Sequence, residues 1–176
     1  RIDPPEKPGS RRISVAMGHT KDSTAAIRAH MNHKLSLTEP GRDLLSSLEK
    51  DAPNSDDATF AYAFALTRST VKEERGYALK MLEGLLDGGY DHQTDCVYGM
   101  AVAYYLNGRF ADARAKCEAI LRSEPDNSNA EELHLACVHS QDERKRKEDI
   151  AVGGGVALAG IGLAVGLLGM VLGGKR

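Results

Sequence analysis

The residues of this chain that could do chemistry do not assemble into a reactive set. His30 and His33 stand three apart, close enough on a helix to share a metal ion, but such a pair is far more often solvent-exposed and no metal is expected. His134 and His139 are five apart and do not share a helical face well. Asp56-Asp57 and Glu73-Glu74 read as first-turn acids that complement helix dipoles. Cys96, Cys117 and Cys137 form no C-x-x-C pair and no zinc spacing; they read as buried thiols in a reducing compartment. The signatures G-x-x-x-x-G-K-[ST], H-E-x-x-H and G-x-S-x-G do not occur. Neither an enzyme nor a cofactor is expected.

Recognition is the chemistry the side chains do support. Phe60, Phe64 and Arg68 recur along one helical face, and Tyr98, Val102 and Tyr105 along another. Aromatic residues that point away from the packing stripe of their own hairpin are candidate anchors for a peptide. These six are the expected partner-binding groove. The competing reading is that the N-terminal segment folds over them as ordinary core. Both hold if that segment is an occupant that a partner displaces.

Two helical hairpins must position these side chains. Residues 94–127 span one period of a tetratricopeptide repeat, about 34 residues. Val97, Met100, Ala101 and Tyr104 fall on the first-helix pattern W-x2-L-G-x2-Y. Ala113 and Cys117 take the second-helix A-x3-F spacing, and Pro125 stands where the closing proline belongs. Asn107-Gly108 supplies the turn, and small Ala101 and Ala113 let the helices approach closely. An earlier hairpin echoes this one. A shift of 35 residues puts Ala78 on Ala113 and Leu82 on Cys117; a shift of 38 puts Ala63 on Ala101 and Phe60 on Tyr98. The first repeat is therefore degenerate, with extra residues in its internal turn.

The flanking segments are read as follows. Residues 1–37 are expected to be a flexible extension, with Pro4, Pro5 and Pro8 near its start and a thin helical stripe from Asp22 to Leu35. Thr38 and Pro40 are expected to open a short helix that buries Leu44, Leu45 and Leu48. Capping boxes are expected at Thr70 with Glu73 and at Ser128 with Glu131. After the second repeat a helix with Leu133, Ala136 and Cys137 on one side would cover the open end of the stack. The tetratricopeptide-like cytosolic domain is placed at residues 38–147. The whole is expected to be all-α, a bundle of about six helices plus a C-terminal transmembrane helix.

That last element is placed at residues 150–172, where no residue is charged. At about 1.5 Å per residue the run spans about 34 Å, enough for a bilayer core of about 30 Å. A short basic tail, residues 173–176, follows it in the sequence, so insertion is expected to be post-translational. Arg144, Lys145, Arg146 and Lys147 flank it on the side expected to be cytosolic. A moderately apolar anchor with basic flanks favours the mitochondrial outer membrane. Gly162 with Gly166, and Gly169 with Gly173, each form G-x-x-x-G, able to pack a second helix in a homo-oligomer. A balance of 23 basic to 25 acidic residues argues against nucleic acid as a partner.

Two degenerate repeats followed by a glycine-rich anchor make the chain resemble the mitochondrial fission 1 protein family. The residues that carry the resemblance are FAYAFALTRS at 60–69, GYALKMLEGLL at 76–86, the repeat from Tyr98 to Asn127, and VGGGVALAGIGLAVGLLG at 152–169. It covers roughly residues 42–176. It implies a non-catalytic adaptor on the mitochondrial outer membrane, and often on peroxisomes, that engages dynamin-related GTPases directly or through further adaptors. The competing class is a membrane-anchored peptide receptor for protein import or chaperone docking. That class would need a cationic clamp for terminal carboxylates, and only Arg68 stands near the groove.

Overall fold

The computed structural model describes the backbone of residues 21–171 and the side chains of residues 25–151. Within these limits there are seven α-helices and no strand: α1 (Lys21–Leu37), α2 (Arg42–Asp51), α3 (Asp56–Leu66), α4 (Lys72–Asp87), α5 (Gln93–Leu106), α6 (Phe110–Ser123) and α7 (Ser128–Val171). A single 3-10 turn, Ala52–Asn54, joins α2 to α3. The pairs α3/α4 and α5/α6 are the two repeat hairpins, and α7 closes the stack against α6.

Both repeats end a helix in the same way. Gly89 after α4 and Gly108 after α5 have φ of 77° and 72°, the left-handed region that favours glycine. Each sits in a double hydrogen-bond closure. Tyr90 N–H donates to Leu85 O and Gly89 N–H to Leu86 O in the first; Arg109 N–H donates to Tyr104 O and Gly108 N–H to Tyr105 O in the second. The Arg109 guanidinium then lies 4.5 Å over the Tyr104 ring, adding a side-chain contact across the second closure.

Small residues sit where the helices come closest. Ala63, Ala78, Ala101 and Ala113 are fully buried. Gly99 goes further: a Cβ there would stand 3.0 Å from Phe64 Cδ2 and 3.1 Å from Leu82 Cδ1. A side chain there would press on the Phe64 and Leu82 side chains where α5 meets α3 and α4. The packing divides into three clusters: one between α3, α4 and α5 (Ala63, Leu82, Leu85, Cys96, Met100), one between α2, α3 and α4 (Leu45, Ala52, Tyr62, Leu66, Ala78), and the last running from α1 through α5 and α6 to α7.

The cluster that reaches α1 corrects the expectation for residues 21–37. They are not a loose extension: they form α1, whose Met31 and Leu35 are buried against Val102, Tyr105, Leu133 and Cys137. Two apolar residues four apart are enough, because α1 lies against both α5 and α7. The alanines of α1 face outward, so its apolar stripe is thin in sequence. His30 and His33 are exposed on the outer side of α1.

The helix starts also differ. Thr38 does not cap α2; its hydroxyl donates back to the carbonyls of Lys34 and Leu35 and closes α1. Pro40 precedes the extended Gly41, and α2 begins after it. Leu45 is buried in α2, but Leu44 is 52 % exposed. Thr70 does not cap α4 either, because Val71 is extended and delays the helix. The helix has no side-chain cap; Ser69 braces the turn before it, its Oγ accepting from Val71 N–H at 3.0 Å and donating to the Glu74 carboxylate. The cap of α7 is Asn127, whose Oδ1 accepts from Ala130 N–H at 3.0 Å. In α3 Ser55 accepts from Ala58 N–H at 3.1 Å, and Asp56 and Asp57 lie in the first turn.

Among the described residues no helix is long and apolar enough to cross a membrane. The expected anchor beyond residue 151 lies outside the residues whose side chains are described. So do the four glycines expected to pack a second membrane helix, Gly162, Gly166, Gly169 and Gly173, and with them the tail 173–176. Residues 1–20 lie outside the described residues as well.

Candidate partner-binding groove

Residues 60, 64 and 68 lie one turn apart along α3 and just past its end, so their side chains form one row. The rings of Phe60 and Phe64 are 5.2 Å apart, and Phe60 also meets Tyr90 at 5.6 Å. Tyr90 is fixed in turn by its hydroxyl, which donates to Asp57 Oδ1 at 2.7 Å. Burial and that acidic acceptor push the Tyr90 hydroxyl up to about 12. The aromatic row is therefore tethered at the start of α3.

Arg68 ends the row. Its guanidinium lies 4.3 Å over the Phe64 ring, and Nη1 donates to Phe64 O at 3.4 Å. Its Nε is buried and has no hydrogen-bond partner. Burial lowers the pKa of the guanidinium, opposed by the nearby Tyr98. Arg68 stands between two open cavities. One, of about 500 Å³, is walled by Pro40, Leu44, Phe60, Phe64 and Ala65. The other, of about 420 Å³, is walled by Asn32, Leu35, Thr70, Arg75 and Leu106.

The second row, on α5, is placed differently. Tyr98 is half-buried at the edge of the α1–α7 cluster. Val102 is fully buried and Tyr105 is 4 % exposed, both beneath α1. The Tyr105 hydroxyl donates to Asn32 Oδ1 at 2.7 Å, its ring packs 5.5 Å from Phe110, and burial pushes its pKa up. Lys34 adds bonds to Asn129 Oδ1 at 3.1 Å and Glu132 Oε2 at 3.0 Å, and Arg28 pairs with Glu143. So the structure brings Phe60, Phe64 and Arg68 together on an open cleft, leaves Tyr98 at its border, and closes Val102 and Tyr105 under the chain's own first helix. Those two are buried under Met31 and Leu35 of α1, the placement that the competing reading describes.

Several residues of the cleft are not legible in the sequence. Leu44 has the spacing of a core position in α2, yet it lines the open side. Arg75 sits in an acidic run that reads as a solvated face, yet it is buried and donates to Asn107 Oδ1 at 2.9 Å and Ser69 O at 2.5 Å. Asn32 and Glu39 carry no signal.

The remaining titratable groups make no reactive site. Among the described residues no three His, Cys, Asp or Glu side chains come together as a metal site. The thiols are free and buried. Burial pushes Cys96 up to about 11 and Cys117 and Cys137 up to about 12, far from nucleophilic values. His134 Nε2 lies 3.4 Å from Glu118 Oε1, an ordinary helix-to-helix pair.

Comparison with known proteins gives the fold a lineage. Residues 94–140 match the Fis1 C-terminal tetratricopeptide repeat. The mitochondrial fission 1 protein of Bos taurus is 33 % identical over 129 residues, covering 70 % of this chain and 82 % of that protein. The mitochondrial fission 1 protein of Neurospora crassa is 30 % identical over 114 residues, 64 % of this chain and 70 % of its own length. That of Kluyveromyces lactis is 27 % identical over 125 residues, 70 % and 76 %.

Proposed function

The chain belongs to the mitochondrial fission 1 protein family, and from that premise we propose that it is a non-catalytic adaptor that recruits organelle fission machinery to the mitochondrial outer membrane. The observation that carries the proposal is the aromatic cleft on the first repeat, which no described residue fills. An apolar cavity of about 500 Å³ beside exposed Leu44 is a surface that a partner segment can bury. The partner is a dynamin-related GTPase or one of its adaptors, docking on Phe60, Phe64 and Arg68 with Tyr98 at the margin. Helix α1 then has a second role. It occupies the α5 half of the same groove, and a partner that needs Val102 and Tyr105 must displace it.

Anchoring is assigned to the uncharged run at residues 150–172, with Arg144–Lys147 on the cytosolic flank. The same anchor would serve peroxisomes. Its two G-x-x-x-G pairs, Gly162 with Gly166 and Gly169 with Gly173, would let two copies associate.

The test is imaging of an N-terminal fluorescent fusion, full length against a chain stopped after Asp149, with organelle shape scored in the same cells. The full chain should ring mitochondria, the shortened one should spread through the cytosol, and depletion should elongate the organelle. Rings without any change of shape would favour an import or chaperone receptor. Marking of the endoplasmic reticulum would overturn the anchor assignment.

A further inference from the structure

Arg68 is a half-buried cation without an anion. Among the described residues its one protein hydrogen bond goes to a neutral carbonyl, and its buried Nε has no partner. Leaving a desolvated charge uncompensated costs free energy that an incoming carboxylate offsets. Arg75, on the neighbouring cavity, is likewise held by neutral oxygens, those of Asn107 and Ser69. Among the described residues Glu39 is the only carboxylate that lines either cavity. Glu73 lies close enough to Arg75 to raise its pKa, which leaves Arg68 as the lining cation that no described carboxylate bonds.

The apolar side has an equally definite character. Phe60 and Phe64 form its floor, and Pro40 and exposed Leu44 its far wall. Arg68 belongs to the walls of both cavities, so the cleft continues on either side of the guanidinium. An occupant that fills it runs past Arg68 instead of stopping there.

We propose that this cleft binds a partner segment through an internal aspartate or glutamate paired with Arg68, with an adjacent aromatic or aliphatic side chain against Phe60 and Phe64. The inference rests on the groove reading above and specifies the chemistry of its occupant. Because the cleft is open with α1 in place, such a segment docks before α1 has to move. A chain-terminal carboxylate fits less well, since the path does not end at the arginine.

The experiment uses the full chain in lipid nanodiscs and a fluorescein-labelled, end-blocked peptide, Ala-Leu-Phe-Glu-Ala-Leu, with counterparts carrying Gln or Lys in place of Glu. Anisotropy should show the Glu peptide binding about tenfold tighter than the Gln peptide, the size expected of a charged hydrogen bond. The Lys peptide should bind more weakly still. Arg68→Gln should erase the Glu-over-Gln preference, and Arg68→Glu should reverse it in favour of Lys, with helicity by circular dichroism unchanged. Equal affinity of the Glu and Gln peptides for the unaltered chain overturns the proposal without any variant. In that event, loss of both affinities in Phe64→Ala would leave the groove reading standing. Failure of all three peptides to bind overturns the carboxylate proposal as well; organelle shape in cells carrying Phe64→Ala then decides the groove reading separately. A preference for the same peptide ending in a free carboxylate over the blocked form overturns the internal-acid assignment.

Discussion

The two repeats present equivalent faces to opposite fates. A shift of 38 residues lays Phe60 on Tyr98, Phe64 on Val102 and Arg68 on Leu106. On α5 the row is apolar throughout, and α1 covers it with Met31 and Leu35. On α3 the row ends in a cation, and no described residue covers the face above Phe60 and Phe64. The difference teaches that a repeat sets the shape of a binding face but not its vacancy. A charged residue at the row's end disfavours cover by aliphatic side chains such as the Met31 and Leu35 of α1, because burying Arg68 beneath them would leave the charge unsolvated. The most direct way to break this comparison is to remove the cover. Met31→Ala with Leu35→Ala deletes two buried anchors of α1, each change costing about 2–5 kcal/mol where the cavity stays open. Hydrogen exchange should then show α1 amides opening while α3 and α4 remain protected. Uniform loss of protection across all helices would mean that α1 is inseparable core and that the two faces differ in kind.

A smaller perturbation acts at the boundary between the faces. Gly99→Ala places a methyl 3.0 Å from Phe64 Cδ2 and 3.1 Å from Leu82 Cδ1. Overpacking of this sort costs about 1–3 kcal/mol, read as a lowered denaturation midpoint. Phe64 should shift toward the cleft, so ring-current shifts of neighbouring methyls on α3 should change while those around Tyr105 stay constant. Changes of equal size in both halves would show that the repeats are mechanically coupled and the comparison too sharp. On the covered face, Tyr105→Phe removes the hydroxyl that donates to Asn32. The cost is about 0.5–1.5 kcal/mol, and Asn32→Ala should add little to it in a double-mutant cycle.

How much of this is legible in the sequence follows from what periodicity encodes. The hairpins are readable because Ala101, Ala113, Cys117 and Ile120 recur at spacings that only a packed helix pair requires. All four are buried. The glycine turn at Gly108 is readable for the same reason, since its left-handed φ excludes most side chains. The fate of Val102 and Tyr105 is not. An apolar face on a first helix looks identical whether a partner or the chain's own arm covers it, and α1 contributes only Met31 and Leu35. The cap of α7 falls one residue from its expected position, at Asn127 instead of Ser128, and α4 starts at extended Val71 with no side-chain cap at all, because backbone conformation at the helix start decides which residue can cap. Arg75 is invisible, for nothing in an acidic run tells which charge turns inward.

The smallest expected effect concerns the frame of the open face. Glu74 accepts a bond from Ser69 and pairs with Arg42 at 2.5 Å, tying α4 to the start of α2 just behind Leu44. The Ser69 bond, then the Arg42 bond, hold its carboxyl below the ordinary value of 4.5. A carboxylate depressed in the folded state adds stability that is fully present above the unfolded value and is lost as pH falls through the folded one. Arg42 is 63 % exposed on its side chain, so solvent screens the pair and its worth is about 1 kcal/mol or less. Denaturation midpoints of the native chain should therefore drop modestly between neutral pH and pH values below 4.5, and Glu74→Gln should remove that share of the drop. The covered face supplies the control: Tyr105→Phe should leave the pH dependence unchanged, because its bond to Asn32 involves no group that titrates there. If Glu74→Gln also leaves it unchanged, the frame of the open face is held by packing of Leu45 and Ala78 alone. The two halves would then differ only in what covers them.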